Sequence, residues 1–310
     1  MCIRDRWHHA KTEINQELKD LTTLWGVGVE RRNAANREGI LRWNQDGLKA
    51  EDLGVKAKNS ANTLQAILDI NNTHSEPVLP SQIDNPDQVW RHPQKVEFYV
   101  DFETVSDLKD DFKNVPESGG TPLIFMIGCG HLEDDKWEWK CFTTDRLTEE
   151  AEGLIIDQWM DHMYEVQNRI DPAGYTPTVY HWSHAEVSTF DSAFNSAKNR
   201  HADKEWPTLN WYDFLQEVIK KEPVVVKGAF GFGLKAIAGS LNKRGLIETS
   251  WDAGPTDGLG AMVGAWWADD EANSKGITMN EIPMVQEISQ YNEVDCKVMM
   301  EIIEYLRKNH

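Results

Sequence analysis

The stretch Val96-Glu97-Phe98-Tyr99-Val100-Asp101-Phe102-Glu103-Thr104 decides the fold class. Its β-branched and aromatic residues predict a buried strand over residues 96–103. Successive side chains of a strand point to opposite faces, so Asp101 and Glu103 share one face while Val100 and Phe102 share the other. Two neighbouring carboxylates repel each other unless a cation lies between them, and burying them unpaired costs several kcal/mol. A D-x-E pair at the end of a core strand therefore points to a divalent-metal site suited to phosphoryl chemistry.

Working outward, residues 95–310 read as α/β. Strands are predicted at 123–129 and 137–142, joined by the polar turn Glu133-Asp134-Asp135, and at 178–181 after Pro177. Helices are predicted at 148–167, 186–199, 209–221, 234–242, 258–271 and 283–307. Strands followed by alternating helices and a strand imply a mixed sheet with helices packed on it. Upstream, residues 18–24 look helical and stop at Gly26-Val27-Gly28; residues 29–38 form a second helix, and 40–71 further short ones. Pro77, Pro80, Pro86 and Pro93 mark residues 73–94 as a linker. The chain thus divides into a small all-α segment at 12–72, the linker at 73–94 and an α/β domain at 95–310.

Bulk properties narrow the class. A chain of 310 residues with 40% hydrophobic residues and 13 Trp can bury a substantial core. No apolar run approaches the ~20 residues of a membrane span, and the first residues lack the apolar region of a secretory signal. Met1-Cys2-Ile3-Arg4-Asp5-Arg6 fits nothing downstream and carries no structural weight. The four cysteines form no C-x-x-C pair, which fits free thiols in a reducing cytoplasm. The formal net charge of −19 opposes polyanion binding in general. It is uneven: the first 92 residues carry 12 basic and 13 acidic side chains, leaving 20 against 38 beyond them. Arg31, Arg32, Arg37, Arg42, Lys49, Lys56 and Lys58 cluster in that balanced part, where any polyanion contact should begin.

Two further acidic motifs follow the D-x-E pair. In Tyr180-His181-Trp182-Ser183-His184-Ala185-Glu186, a strand runs out and Glu186 falls in the first turn of a helix, where a carboxylate suits the dipole. It is also a candidate third metal-facing acid, with Asp191 one helical turn on as its competitor. His181 and His184 are read first as ordinary polar histidines and second as ligands. On the last helix, Tyr291 and Asp295 of Gln290-Tyr291-Asn292-Glu293-Val294-Asp295 share one face at i, i+4.

The order of these motifs resembles the DEDD exonuclease superfamily, whose fold is ribonuclease H-like. Tyr four residues before the last Asp resembles the DEDDy branch; the DEDDh branch has His five before it, where this chain has Gln290. Within that group the chain resembles the YprB-like domain of predicted RecB-family nucleases over residues 95–308. The likeness extends to Asp213 in Trp211-Tyr212-Asp213-Phe214-Leu215, to Gly231-Phe232-Gly233-Leu234-Lys235-Ala236-Ile237 and to Asp257-Gly258-Leu259-Gly260-Ala261-Met262. It implies two-metal phosphodiester hydrolysis with Mg²⁺ or Mn²⁺. Asp101 would bridge both ions, Glu103 and Asp295 would hold the nucleophile-side ion, Glu186 would assist the other, and Tyr291 would orient the attacking water. The superfamily usually has Asp where Glu186 stands.

Leu21-Thr22-Thr23-Leu24-Trp25-Gly26-Val27-Gly28-Val29-Glu30-Arg31-Arg32 resembles a helix-hairpin-helix. In such a turn Gly26 and Gly28 let main-chain N–H groups reach a DNA phosphate, and Arg31 and Arg32 add charge. Lys235, near a helix start, is a further phosphate candidate. A PD-(D/E)xK site built on Glu138-Trp139-Lys140 is disfavoured, because residues 123–129 supply no acid. The sequence leads to a DNA nuclease, 3′–5′ exonuclease-like. RNA as substrate and a non-catalytic nucleic-acid-binding module remain as alternatives.

Overall fold

The structure is a computed structural model that describes residues 3–84, 88–105, 122–251 and 258–310. Met1, Cys2, Pro86 and Asp257, each named in the sequence reading, lie outside the described residues. In chain order the helices are α1 (Ile3–Leu18), α2 (Val29–Arg37), α3 (Lys58–Asn72), α4 (Glu149–Ile170), α5 (Ala185–Val187), α6 (Ala197–Arg200), α7 (Leu234–Asn242), α8 (Gly258–Lys275) and α9 (Pro283–Asn309). The strands are β1 (Val78–Leu79), β2 (Glu97–Val105), β3 (Leu123–Glu133), β4 (Lys136–Thr143), β5 (Thr178–His181), β6 (Asn210–Asp213) and β7 (Val225–Val226). No helix among the described residues is long and apolar enough to cross a membrane.

The chain forms two compact units. The second, Asp87–Glu217 with Glu248–Arg307, holds a five-stranded mixed sheet in the order β4-β3-β2-β5-β6. β2, β3 and β4 pair antiparallel, while β5 and β6 continue parallel to β2. Each face of β2 meets a different core. Val96, Phe98 and Val100 pack with Ile155, Ile156 and Trp159 of α4. On the opposite face, Val105 joins a core made by α8 alanines with Val285 and Ile288 of α9. The strand's alternation thus aims Asp101 and Glu103 away from the α4 core, as the i, i+2 spacing predicts. Between Glu103 and Thr104 the register to β3 slips by one residue, from Met126 to Ile124. The extra residue, Phe125, is on β3, so the ladder is interrupted where the acids of β2 end.

The helix predicted at 209–221 is a misreading. Asn210–Asp213 is the edge strand β6, with Tyr180 opposite Tyr212 and His181 opposite Asp213. Four residues are too few for a period to show, and the apolar residues beyond them continue as a single π turn, Leu215–Ile219. The helix predicted at 186–199 is likewise broken, into α5, the π turn Ser188–Ser192, and α6. Cys129 faces Lys140 across the β3–β4 hairpin and Cys141 faces Gly128, so the two thiols lie on opposite sheet faces and stay free. Glu138 and Lys140 are exposed on β4, consistent with a solvent face rather than a nuclease centre.

The first unit is Met1–Pro86 with Val218–Ile247 and Lys308–His310. This division differs from one drawn by composition, because the glycine-rich segment before α7 belongs with the N-terminal helices. β1 and β7 pair antiparallel, Val78 opposite Val226. Asn71 holds the loop that follows: its side chain accepts from the Gly228 N–H at 2.7 Å and donates to Ala229 O at 3.3 Å. Phe230 then packs on Trp43, and its carbonyl accepts from the Trp25 N–H at 2.8 Å. Two-residue strands carry no readable period, so the prolines around β1 read as a linker.

Candidate metal centre

β2 and α9 build the site. Asp101, Glu103 and Asp295 each offer a carboxylate oxygen, and the three oxygens lie within 4.8 Å of one another. Glu103 and Asp295 are buried, each with 6% of its surface exposed, while Asp101 is half-buried. At that spacing and burial, three negative charges repel strongly and favour a bound cation. An all-oxygen donor set suits a hard ion. The group can hold a metal ion on chemistry and geometry alike.

Residues between and beside the sequence motifs complete the site. Asn292, fully buried on α9, donates from Nδ2 to Asp101 Oδ2 at 2.8 Å and to Asp101 O at 3.2 Å. Trp251 donates its indole N–H to Asp295 Oδ1 at 3.1 Å. Sequence reasoning missed both. Asn292 lies inside the quoted third motif, one residue after Tyr291 and three before Asp295. That spacing puts it on the Asp295 face of the helix and was the available signal. Nothing in the sequence near Trp251 singles it out from the other tryptophans.

Tyr291 stands among the same carboxylates. Burial, followed by the charges of Asp295, Glu103 and Asp101, pushes its hydroxyl far above the usual tyrosine range. It therefore stays a protonated donor at any ordinary pH. Burial and the adjacent acids likewise push the Cys296 thiol up, so it is an inert packing group here.

Glu186 is not a member of the three-carboxylate group. It sits in α5 just beyond β5 and is buried against His181, whose Nδ1 lies 3.3 Å from Glu186 Oε2. That nitrogen bonds the main-chain carbonyl of Ser183. Glu186 Oε2 is thereby left buried with no hydrogen-bond partner. The turn between them is strained, with Ser183 at φ +98°. Asp191, the competing acid, pairs instead with Lys198 at 3.0 Å. Exposed His184 precedes α5, its Nε2 3.4 Å from Ser192 Oγ. Asp213 caps the exits of β5 and β6, accepting from the N–H groups of Ser183 and Gln216 at 3.2 and 3.0 Å.

The nucleic-acid candidates belong to the first unit. A 3-10 turn, Leu21–Thr23, leads through Gly26 (φ +75°) to Gly28, which caps α2 with no side-chain hydrogen bond. Nothing stands within 4 Å of where a Cβ would project from either glycine. Arg31 donates to Gly26 O, and Arg32 bonds Asn33 Oδ1 and lies 3.8 Å from Asp20. Lys235 is exposed at the second position of α7, behind an N-cap, Gly233, that offers no side chain.

No protein-family model matches the chain, and no curated protein matches it in sequence.

Proposed function

We propose that the chain is a metal-dependent nuclease that hydrolyses phosphodiester bonds of DNA, in the manner of the DEDDy 3′–5′ exonucleases. The observation that carries this reading is the convergence of Asp101, Glu103 and Asp295 from a core strand and the last helix, with Tyr291 beside them. The order strand acids, acid after a later strand, and Y-x-x-x-D on a late helix agrees with a ribonuclease H-like topology. Mg²⁺ or Mn²⁺ suits the oxygen donors. Asp101, Glu103 and Asp295 would hold one ion; Glu186, with a buried oxygen lacking a partner, is the acid available toward a second. When bound, such ions neutralise phosphate charge and make water a stronger nucleophile.

The remaining work falls to the protein. Tyr291 Oη keeps its proton and donates toward the attacking water or a phosphate oxygen, fixing the line of attack. Asp295 is held by Trp251, so its carboxylate is oriented before substrate arrives. The Gly26–Gly28 turn supports DNA as the substrate, because both glycines are exposed and no Cβ blocks the approach of a phosphate backbone.

The test incubates the protein with end-labelled single- and double-stranded DNA and RNA, with Mn²⁺ or EDTA, beside Asp101→Ala. Metal-dependent products that vanish in the variant are the expected result, and their ladder gives polarity and sugar preference. Cleavage by Asp101→Ala equal to wild type overturns the assignment. Binding without cleavage moves the reading to a non-catalytic module.

A further inference from the structure

We infer that Asn292 is the positioning residue of the metal centre. The inference rests on reading the three carboxylates as an ion site. One amide nitrogen, Asn292 Nδ2, holds both the side-chain Oδ2 and the main-chain O of Asp101. Bonding the carboxylate and the carbonyl of the same residue fixes the rotation of the Asp101 side chain, and so fixes where its second oxygen stands. A carboxylate that must meet Glu103 and Asp295 over one ion gains from being set in advance.

The other end of the amide argues that this is not a packing role. Asn292 Oδ1 is buried and has no hydrogen-bond partner. The amide cannot be turned round to repair this, because turning it would aim an oxygen at two acceptors of Asp101. A buried acceptor without a partner disfavours the folded state. The sheet also makes room for the amide: Gly128 of β3, opposite Asp101, lacks the Cβ that would collide with Asn292 Oδ1.

Leucine is nearly isosteric with asparagine, so Asn292→Leu separates the two roles. The measurements are the melting temperature of the metal-free protein and Mn²⁺ affinity by isothermal titration. Asn292→Leu is expected to keep a cooperative melting transition in EDTA and to bind Mn²⁺ at least tenfold more weakly. Asn292→Ala, which cannot overfill the site, should show the same loss of affinity should the leucine variant fail to fold. Wild-type affinity in a folded variant overturns the positioning role. A lower metal-free melting temperature for Asn292→Leu, with unchanged affinity in Asn292→Ala, shows the amide to be structural. Absence of Mn²⁺ binding by the wild-type protein overturns the ion site itself, and the inference with it.

Discussion

Gly128 and Asn292 share one space: a Cβ built on Gly128 would stand 1.7 Å from Asn292 Oδ1 and 3.1 Å from Cys296 Sγ. The glycine is in the extended backbone of an interior strand, where glycine is otherwise unfavourable. Its presence there is explained by the buried amide it faces. Gly128→Ala must therefore push α9 away from the sheet or turn Asn292 off Asp101. Overpacking of this kind costs about 1–3 kcal/mol. The urea midpoint should fall accordingly, and Mn²⁺ affinity should fall with it, since the Asn292–Asp101 bond is lost. An unchanged midpoint would show that the helix adapts without strain.

Three carboxylate oxygens within 4.8 Å should make the metal-free fold less stable than the metal-bound one. A ligand that binds only the folded state stabilises it by about 2.7 kcal/mol at a hundred times its dissociation constant. Mg²⁺ or Mn²⁺ should thus raise the melting temperature by several degrees, and EDTA should reverse the shift. Asp101→Asn removes one of the repelling charges. It is expected to melt above the wild type in EDTA and to lose the metal-induced rise. A metal-induced rise of wild-type size in this variant would remove Asp101 from the ligand set.

The acids of this centre were legible because each lies in a pattern that sequence displays directly. Asp101 and Glu103 interrupt an apolar run at a period of two, and Tyr291 and Asp295 keep a helical spacing in a long amphipathic segment. Asn292 carried a signal of position, three residues before Asp295 on the same helical face, but an amide side chain is as common on an exposed face as on a buried one. β6 was misread because four residues carry no period and its pairing partner lies 32 residues upstream. The attachment of residues 218–247 to the N-terminal unit depends on β1–β7 pairing and on Asn71 meeting Gly228. Such long-range contacts leave no trace in local composition.

A second buried charge cluster supports the sheet near the site. Glu152 of α4 is fully buried and accepts from the Ile124 N–H at 2.7 Å, from Arg200 Nε at 2.9 Å and from His201 Nε2, also at 2.9 Å. Ile124 is the β3 residue opposite Thr104, immediately after the bulge at Glu103. Breaking one partner of a buried pair leaves an uncompensated charge and costs about 3–5 kcal/mol. Arg200→Met alone should lose that much in urea unfolding. Glu152→Gln with Arg200→Met should recover part of it, since neither charge then remains. A double variant as unstable as the sum of the singles would show the pair to be uncoupled.

Acid sensitivity should be traceable to the β3–α4 contact. Burial, reinforced by the nearby charge of Lys140, lowers the His162 pKa to about 4, and His131 and Arg169 act in the same direction. Burial also lowers His131, with Glu133 and Glu138 opposing and Arg169 assisting. The two rings lie 6.0 Å apart. In the unfolded chain a histidine takes up its proton near pH 6.5, well before His162 does so in the fold at about 4. Between those values the unfolded state binds more protons, so stability falls as pH drops from about 6.5 to about 4 and flattens below. The stabilising form is the neutral ring, present in full above pH 6.5. His162→Gln cannot take up a proton in either state, so its urea midpoint should change less between pH 7 and 4.5 than that of the wild type. Parallel profiles for the two proteins would show that carboxylates elsewhere, rather than this histidine, set the acid limb.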